Sequence, residues 1–376
     1  MPENNKSNEE IEFKNIKYVI QDKKYRFLTW FDMATGNYLR SNVFGKDGMQ
    51  TDEEPFMASF PHLIDVGIMG HCIHGKTGLC AKAGIGCYQS GMIVEKPNMS
   101  LQNFQKIAQQ CRGRCNQFAL GGRGDPDQHE DFEEILKCCR ANMIVPNFTT
   151  SGYGMTKEIA ELCKKYCGAV AVSWYRNNYT TGAIQMLLDA GVKTNIHYVV
   201  GNNSIDEAIR RLKENDFPAG INAVIFLIHK PVGQGSAQNV LQADDPRVAE
   251  FFQQIEEKHQ FKVGLDSCSS PGVVNFTKKV DMDSIDTCEG GRFSCYIGSD
   301  MKMVPCSFDQ SDKYAVMLDE STTIEDAWNS DKFELFRNHL RHSCPTCPNR
   351  AGCMGGCPLQ PSIVLCKKEE KNIIIQ

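Results

Sequence analysis

From about residue 61 the chain repeats one rhythm six times: an apolar run of strand length, then a stretch of helical period. The runs fall at 62–70, 116–122, 142–150, 168–174, 192–200 and 222–230. Between them, the stretch at 100–111 opens on Ser100 as an N-cap, and the one at 131–142 carries acidic residues in its first turn. Ser204 and Glu207 stand at capping-box spacing before the next apolar helical run. Strands alternating with helices in this way build a parallel sheet. The expected fold class is therefore α/β, a partial barrel of six strand–helix units with helices outside. In such an architecture the active site sits at the C-terminal ends of the strands.

Around this unit the chain divides into further parts. Residues 1–10 are polar and acidic and are expected to be disordered. Residues 11–60 form an extension in which 11–45 alternate apolar and polar side chains, the pattern of a small antiparallel hairpin set. The barrel spans 61–270, and 271–376 form a smaller cysteine-rich tail. The net charge of −5 gives no reason to expect nucleic acid. The longest apolar runs are far too short to span a bilayer, and the N-terminus has no signal-peptide character. A cytoplasmic protein is expected.

Eighteen cysteines in such a chain call for an explanation. Disulfide scaffolds are short and secreted, so thiolate ligation of metal in a reducing compartment is the better reading. In the tail, Cys344, Cys347, Cys353 and Cys357 spell CX2CX5CX3C on a segment rich in Gly and Pro. With Cys288, Cys295, Cys306 and Cys366 the tail holds eight thiols, enough for two tetrathiolate centres of zinc or iron–sulfur type. A second concentration follows the first barrel strand, where Cys72, Cys80 and Cys87 stand in a glycine-rich loop as CX7CX6C. Three thiolates there suit a [4Fe–4S] cluster with one iron left open. His71 and His74 are the histidines of interest in that loop. Cys111 and Cys115, like Cys163 and Cys167, share helix faces and read as plain thiols, as do Cys138 and Cys139.

On these motifs the chain resembles the radical S-adenosylmethionine (SAM) enzymes that carry a C-terminal SPASM domain. The family's cluster loop is CX3CX2C followed by an aromatic residue; Cys87 and Tyr88 match its end, while the wider spacing is this chain's departure. The resemblance implies that Cys72, Cys80 and Cys87 hold the SAM-binding cluster. The segment 120–136 resembles the family's GGEP stretch, with Arg123 and Asp125 as departures. SAM contacts are thereby implied at Gly122, Gly124, Asp125, Ser151, Ser173 and Arg176. In the tail the resemblance implies two auxiliary [4Fe–4S] clusters. One takes Cys288, Cys306 and Cys357 with Cys295 as its fourth ligand, and the other takes Cys344, Cys347, Cys353 and Cys366. Met301 occupies a position where the family has glycine, so that turn is expected to be made differently.

The implied activity is that of a radical SAM oxidoreductase with three clusters and SAM, acting anaerobically on a ribosomally made precursor peptide. A maturase installing a thioether or carbon–carbon crosslink leads. A sulfatase-type maturase forming formylglycine is the rival, although its aspartate base is expected directly after Cys306, where Ser307 stands and Asp309 lies two further on. Cys268 and Asp309 are the candidate catalytic residues. Implied partners are a flavodoxin- or ferredoxin-type donor and a separate leader-binding protein, unless the hairpin at 11–45 serves. A non-catalytic zinc or redox-sensing protein is the reading of another class.

Overall fold

The computed structural model describes residues 16–281 and 284–366, so the disorder expected at 1–10 lies outside the described residues. The extension begins with the expected antiparallel set: β1 Lys17–Asp22, β2 Phe27–Asp32 and β3 Tyr38–Arg40 form a three-stranded sheet. Its inward face carries Phe27 and Phe31. Phe27 packs on Ala58 and Phe293, and Phe31 on Met33 and Val145, which anchors the sheet to both the barrel and the tail.

All six expected barrel strands form: β4 Leu63–Met69, β5 Gln117–Gly122, β6 Val145–Thr150, β7 Val170–Ser173, β8 Thr194–Val200 and β9 Ala223–Ile228. A seventh parallel strand, β10 Lys262–Leu265, pairs with β9. Each strand hydrogen-bonds to its sequence neighbour in parallel register. Alternation puts Ile64, Val66 and Ile68 under the helices, fully buried, and turns Asp65 to the opposite face. That face is concave. Thr149 on β6 and His197 on β8 approach to 3.2 Å although β7 lies between them, closer than two strand spacings of about 4.8 Å each would allow on a flat sheet.

The helices follow from local sequence. Ser100 caps the helix Leu101–Cys111 by accepting from the Asn103 amide, as expected. The capping box at Ser204 does not form. Its hydroxyl instead donates to the Val199 carbonyl at 2.9 Å, and Glu207 is drawn to Arg176 and Arg211. Long-range partners outcompete the local cap.

The tail shares the barrel's sheet. β11 Ser294–Ile297 pairs in parallel with β4, and β12 Lys302–Val304 and β13 Val316–Met317 continue antiparallel, giving ten strands ordered β10-β9-β8-β7-β6-β5-β4-β11-β12-β13. Met301 closes the β11–β12 turn with φ 62°, a left-handed conformation that glycine adopts more easily. No helix among the described residues is long and apolar enough to cross a membrane.

Candidate radical SAM and auxiliary cluster sites

Three thiol groups emerge, and each is built by a different part of the chain. The first lies on the loop after β4. Cys72, Cys80 and Cys87 are close enough for each charged form to perturb the others. The Gly91 amide donates to Cys87 Sγ at 3.4 Å, and the Cys80 thiol donates to the Tyr175 hydroxyl at 3.4 Å. Burial pushes the Cys80 thiol up to about 11, with Tyr175 acting the other way. Such thiols stay protonated unless a metal takes them as thiolates. Loop closure depends on Gly91: a Cβ there would stand 2.9 Å from Cys72 Cβ and 2.7 Å from the Arg123 carbonyl. Gly233, at φ +61°, does the same for the Cys87–Tyr88 backbone from the loop after β9.

Asp125 joins this loop to the strand ends. Its carboxylate accepts from the Ser151 amide at 2.9 Å and the Ser151 hydroxyl at 2.5 Å, and its Oδ2 lies 2.9 Å from His74 Nε2. His74 in turn meets the Tyr153 ring edge-on at 4.7 Å. Arg176, at φ 59°, bonds Glu207 at 2.5 Å, the Tyr198 hydroxyl at 3.2 Å and the Ala83 carbonyl of the loop after β4 at 3.4 Å. Gly122, Gly124, Asp125, Ser151, Ser173 and Arg176 thus all lie at the C-terminal strand ends around the three cysteines. Tyr175, which contacts Cys80 directly, was missed as a site residue by sequence reasoning. Its signal was its place between Ser173 and Arg176.

The second group departs from expectation. Cys268 contacts Cys357 through their thiols, and Cys288 and Cys306 both lie within electrostatic reach of Cys268. A Cβ at Gly290 would sit 3.7 Å from Cys288 Sγ and 3.6 Å from Cys306 Cβ, so those two side chains flank one point. Cys295 is not brought here. On β11 it faces the helix Leu101–Cys111, 2% exposed, beside Cys111 and Cys115. The fourth thiol of this group is Cys268, contributed from the end of β10 rather than from the tail. Contact with Cys357 and then burial raise its pKa well above the ordinary thiol value, and burial pushes Cys288 up to about 12.

In the third group Cys353 lies within reach of Cys344, Cys347 and Cys366. Cys344 takes φ 46°, and a Cβ on Gly355 would meet its sulfur at 3.5 Å. A lone zinc ion needs its donors converging on one point. Among the described residues no three His, Cys, Asp or Glu side chains are grouped to hold a single ion. None of the eighteen cysteines is in a disulfide.

Between the first two groups, the Tyr88 and Phe308 rings meet at a tilt of 40° with centroids 4.6 Å apart, and Gln310 donates to the Tyr88 carbonyl. Beside them opens a cavity of about 240 Å³, lined by Gln89, Lys96, Arg123, Tyr296, Ser307 and Asp309 among others. Arg123 Nε and Asp309 Oδ2 are buried there without a hydrogen-bond partner among the described residues.

Residues 288–349 match the SPASM family, described as an iron–sulfur cluster-binding domain. Solved structures match over most of the chain. Streptococcus suis SuiB bound to S-adenosylmethionine is 16% identical, covers 83% of this chain and 78% of its own, and superposes with a TM-score of 0.60. SuiB bound to its precursor peptide SuiA is 15% identical over 87% of this chain and 84% of that one, with a TM-score of 0.59. Native anSMEcpe with bound AdoMet is 17% identical over 80% and 90%, with a TM-score of 0.56. The chain has the radical SAM–SPASM fold. No curated protein sequence matches it.

Proposed function

We propose that this chain is a radical SAM enzyme that modifies a ribosomally made peptide, installing a thioether or carbon–carbon crosslink. The observation that carries the proposal is the loop after β4. Its three cysteines gather at the mouth of a concave parallel sheet, tied by Asp125 to the strand ends where a small cofactor would lie. Half-buried thiols beside glycines that leave no room for a Cβ fit a cluster at Cys72, Cys80 and Cys87. Two auxiliary clusters fit the quartets Cys268, Cys288, Cys306, Cys357 and Cys344, Cys347, Cys353, Cys366. SAM would rest on Gly122, Gly124 and Asp125, with Ser151, Ser173 and Arg176 around it. When bound, SAM on an open-iron cluster supplies a 5′-deoxyadenosyl radical able to take hydrogen from unactivated carbon.

The chain's own contribution is enclosure and orientation. Tyr88 and Phe308 close the gap between the first two thiol groups, and the cavity beside them offers the Arg123 guanidinium and Asp309 carboxylate to a peptide. The peptide substrate is supported by the precursor complex of SuiB and by anSMEcpe with its Cp18Cys peptide. Formylglycine formation is the second reading, favoured by one observation: Asp309, close behind Cys306 in the chain, lines this cavity. A flavodoxin- or ferredoxin-type protein would deliver the electron, and a separate protein or the β1–β3 sheet would hold a leader. Eighteen cysteines without a disulfide suit the cytoplasm.

The test is anaerobic incubation of reconstituted protein with SAM, dithionite and a short peptide encoded beside its gene. 5′-Deoxyadenosine should form, and the peptide should lose two hydrogens for a crosslink, or its cysteine sulfur for formylglycine. No SAM cleavage in iron-replete protein would sink the proposal.

A further inference from the structure

The second thiol group has a buried cation beside it. Lys230 follows β9 and is 7% exposed. Its ammonium donates to Asp266 Oδ2 at 2.6 Å and to the Ile228 carbonyl at 2.9 Å, and lies 4.5 Å from the centre of the Phe308 ring. Asp266 stands two residues before Cys268, and Phe308 two residues after Cys306. The ammonium is therefore wedged between the two backbone segments that present two of the four thiols.

Asp266 divides its charge between two partners. Its other oxygen accepts from Ser269 Oγ at 2.6 Å, which spreads its charge away from Lys230. Lys230 lies within electrostatic reach of both Cys268 and Cys357. Burying an ion pair costs several kcal/mol per ion before the partners repay it, and packing alone is served as well by apolar side chains. The pair thus needs an electrostatic explanation.

We propose that Lys230 sets the reduction potential of the centre held by Cys268, Cys288, Cys306 and Cys357, raising it so that this centre takes up an electron more readily. The inference rests on the iron–sulfur reading above. Reduction adds negative charge to a buried centre, and a fixed positive charge nearby stabilises the reduced form, more strongly where water is excluded. Lys230 is a positioning residue in this sense: it touches neither substrate nor reacting atoms.

The experiment is a redox titration followed by electron paramagnetic resonance on full-length, anaerobically reconstituted protein, with iron measured on every sample. In Lys230→Met one auxiliary couple should move to a more negative midpoint while the others stay and iron content holds. In Lys230→Met/Asp266→Asn, which leaves no lone buried charge, the same couple should move the same way by less. Unchanged couples in iron-replete Lys230→Met, or a positive shift, would overturn the inference. If the single variant fails to hold iron, an unshifted couple in the double variant overturns it equally. Cys268→Ala separates the two claims: iron equal to wild type there would remove the cluster assignment itself, not merely the role of Lys230.

Discussion

Asp125 gathers two donors from Ser151 and the His74 ring onto one carboxylate, and so fixes the loop after β4 against two strand ends. Charge-assisted hydrogen bonds of this kind are worth about 1.5–3 kcal/mol each when one partner is lost. Asp125→Ala should therefore lower unfolding stability by roughly 2–3 kcal/mol in denaturant titrations, and cost SAM affinity, with iron in the two tail centres unchanged. Asp65 makes a pH-dependent prediction. Burial on the concave face pushes its carboxyl up to about 7 from an ordinary value of 3.8. The folded protein then holds a proton that the unfolded chain has lost, so this group's penalty is absent below the unfolded value. It grows as pH rises from about 4 to about 7 and is constant above. Asp65→Asn should accordingly stabilise by about 2 kcal/mol above neutrality and by almost nothing in mild acid, read as melting temperature against pH. Equal melting shifts at both ends of that range would contradict it. The departures Arg123 and Asp309 were visible in the sequence. Their meeting in one cavity was not, because it depends on how the tail folds against the loop after β5.

At the scale of elements, strand period carried the reading furthest. Six runs of alternating or continuous apolar residues became β4 to β9 with boundaries moved by at most three residues, because parallel strands buried under helices cannot hide their composition. The strands of the tail escaped notice: β12 has three residues and β13 two, too few to show a period. That loss propagated to the ligand assignment. Once β11 is a strand pairing with β4, alternation sends Cys295 to the helix side and Tyr296 to the concave side, so Cys295 has no path to Cys288 and Cys306. Two substitutions separate the assignments. Cys268→Ala should lose about four irons per chain, the content of one cubane. Cys295→Ala should keep its iron and lose only about 1 kcal/mol of stability from a small core cavity. Gly91→Ala belongs here too. Its methyl would strike Cys72 and the Arg123 carbonyl, so iron in the first centre should fall without loss in the tail.

The whole molecule is organised by one sheet that runs from the barrel into the tail. Through β11 to β13 the cysteine-rich segment is hydrogen-bonded to the strand that precedes the cluster loop, and Tyr88 against Phe308 closes the same junction from above. This brings the second thiol group, built from Cys268, Cys288, Cys306 and Cys357, toward the same junction as the loop after β4. What the order of motifs along the chain could not convey was which cysteines meet, since Cys268 and Cys357 are far apart in sequence and in contact in space. The central claim is that the loop after β4 carries a SAM-binding cluster distinct from two others. It is tested most directly by iron and sulfide per chain in wild type and in the variant with Cys72, Cys80 and Cys87 all changed to Ala. About twelve irons are expected, falling by about four in the triple variant with loss of 5′-deoxyadenosine formation. Zinc in place of iron, or iron unchanged in the triple variant, would contradict it.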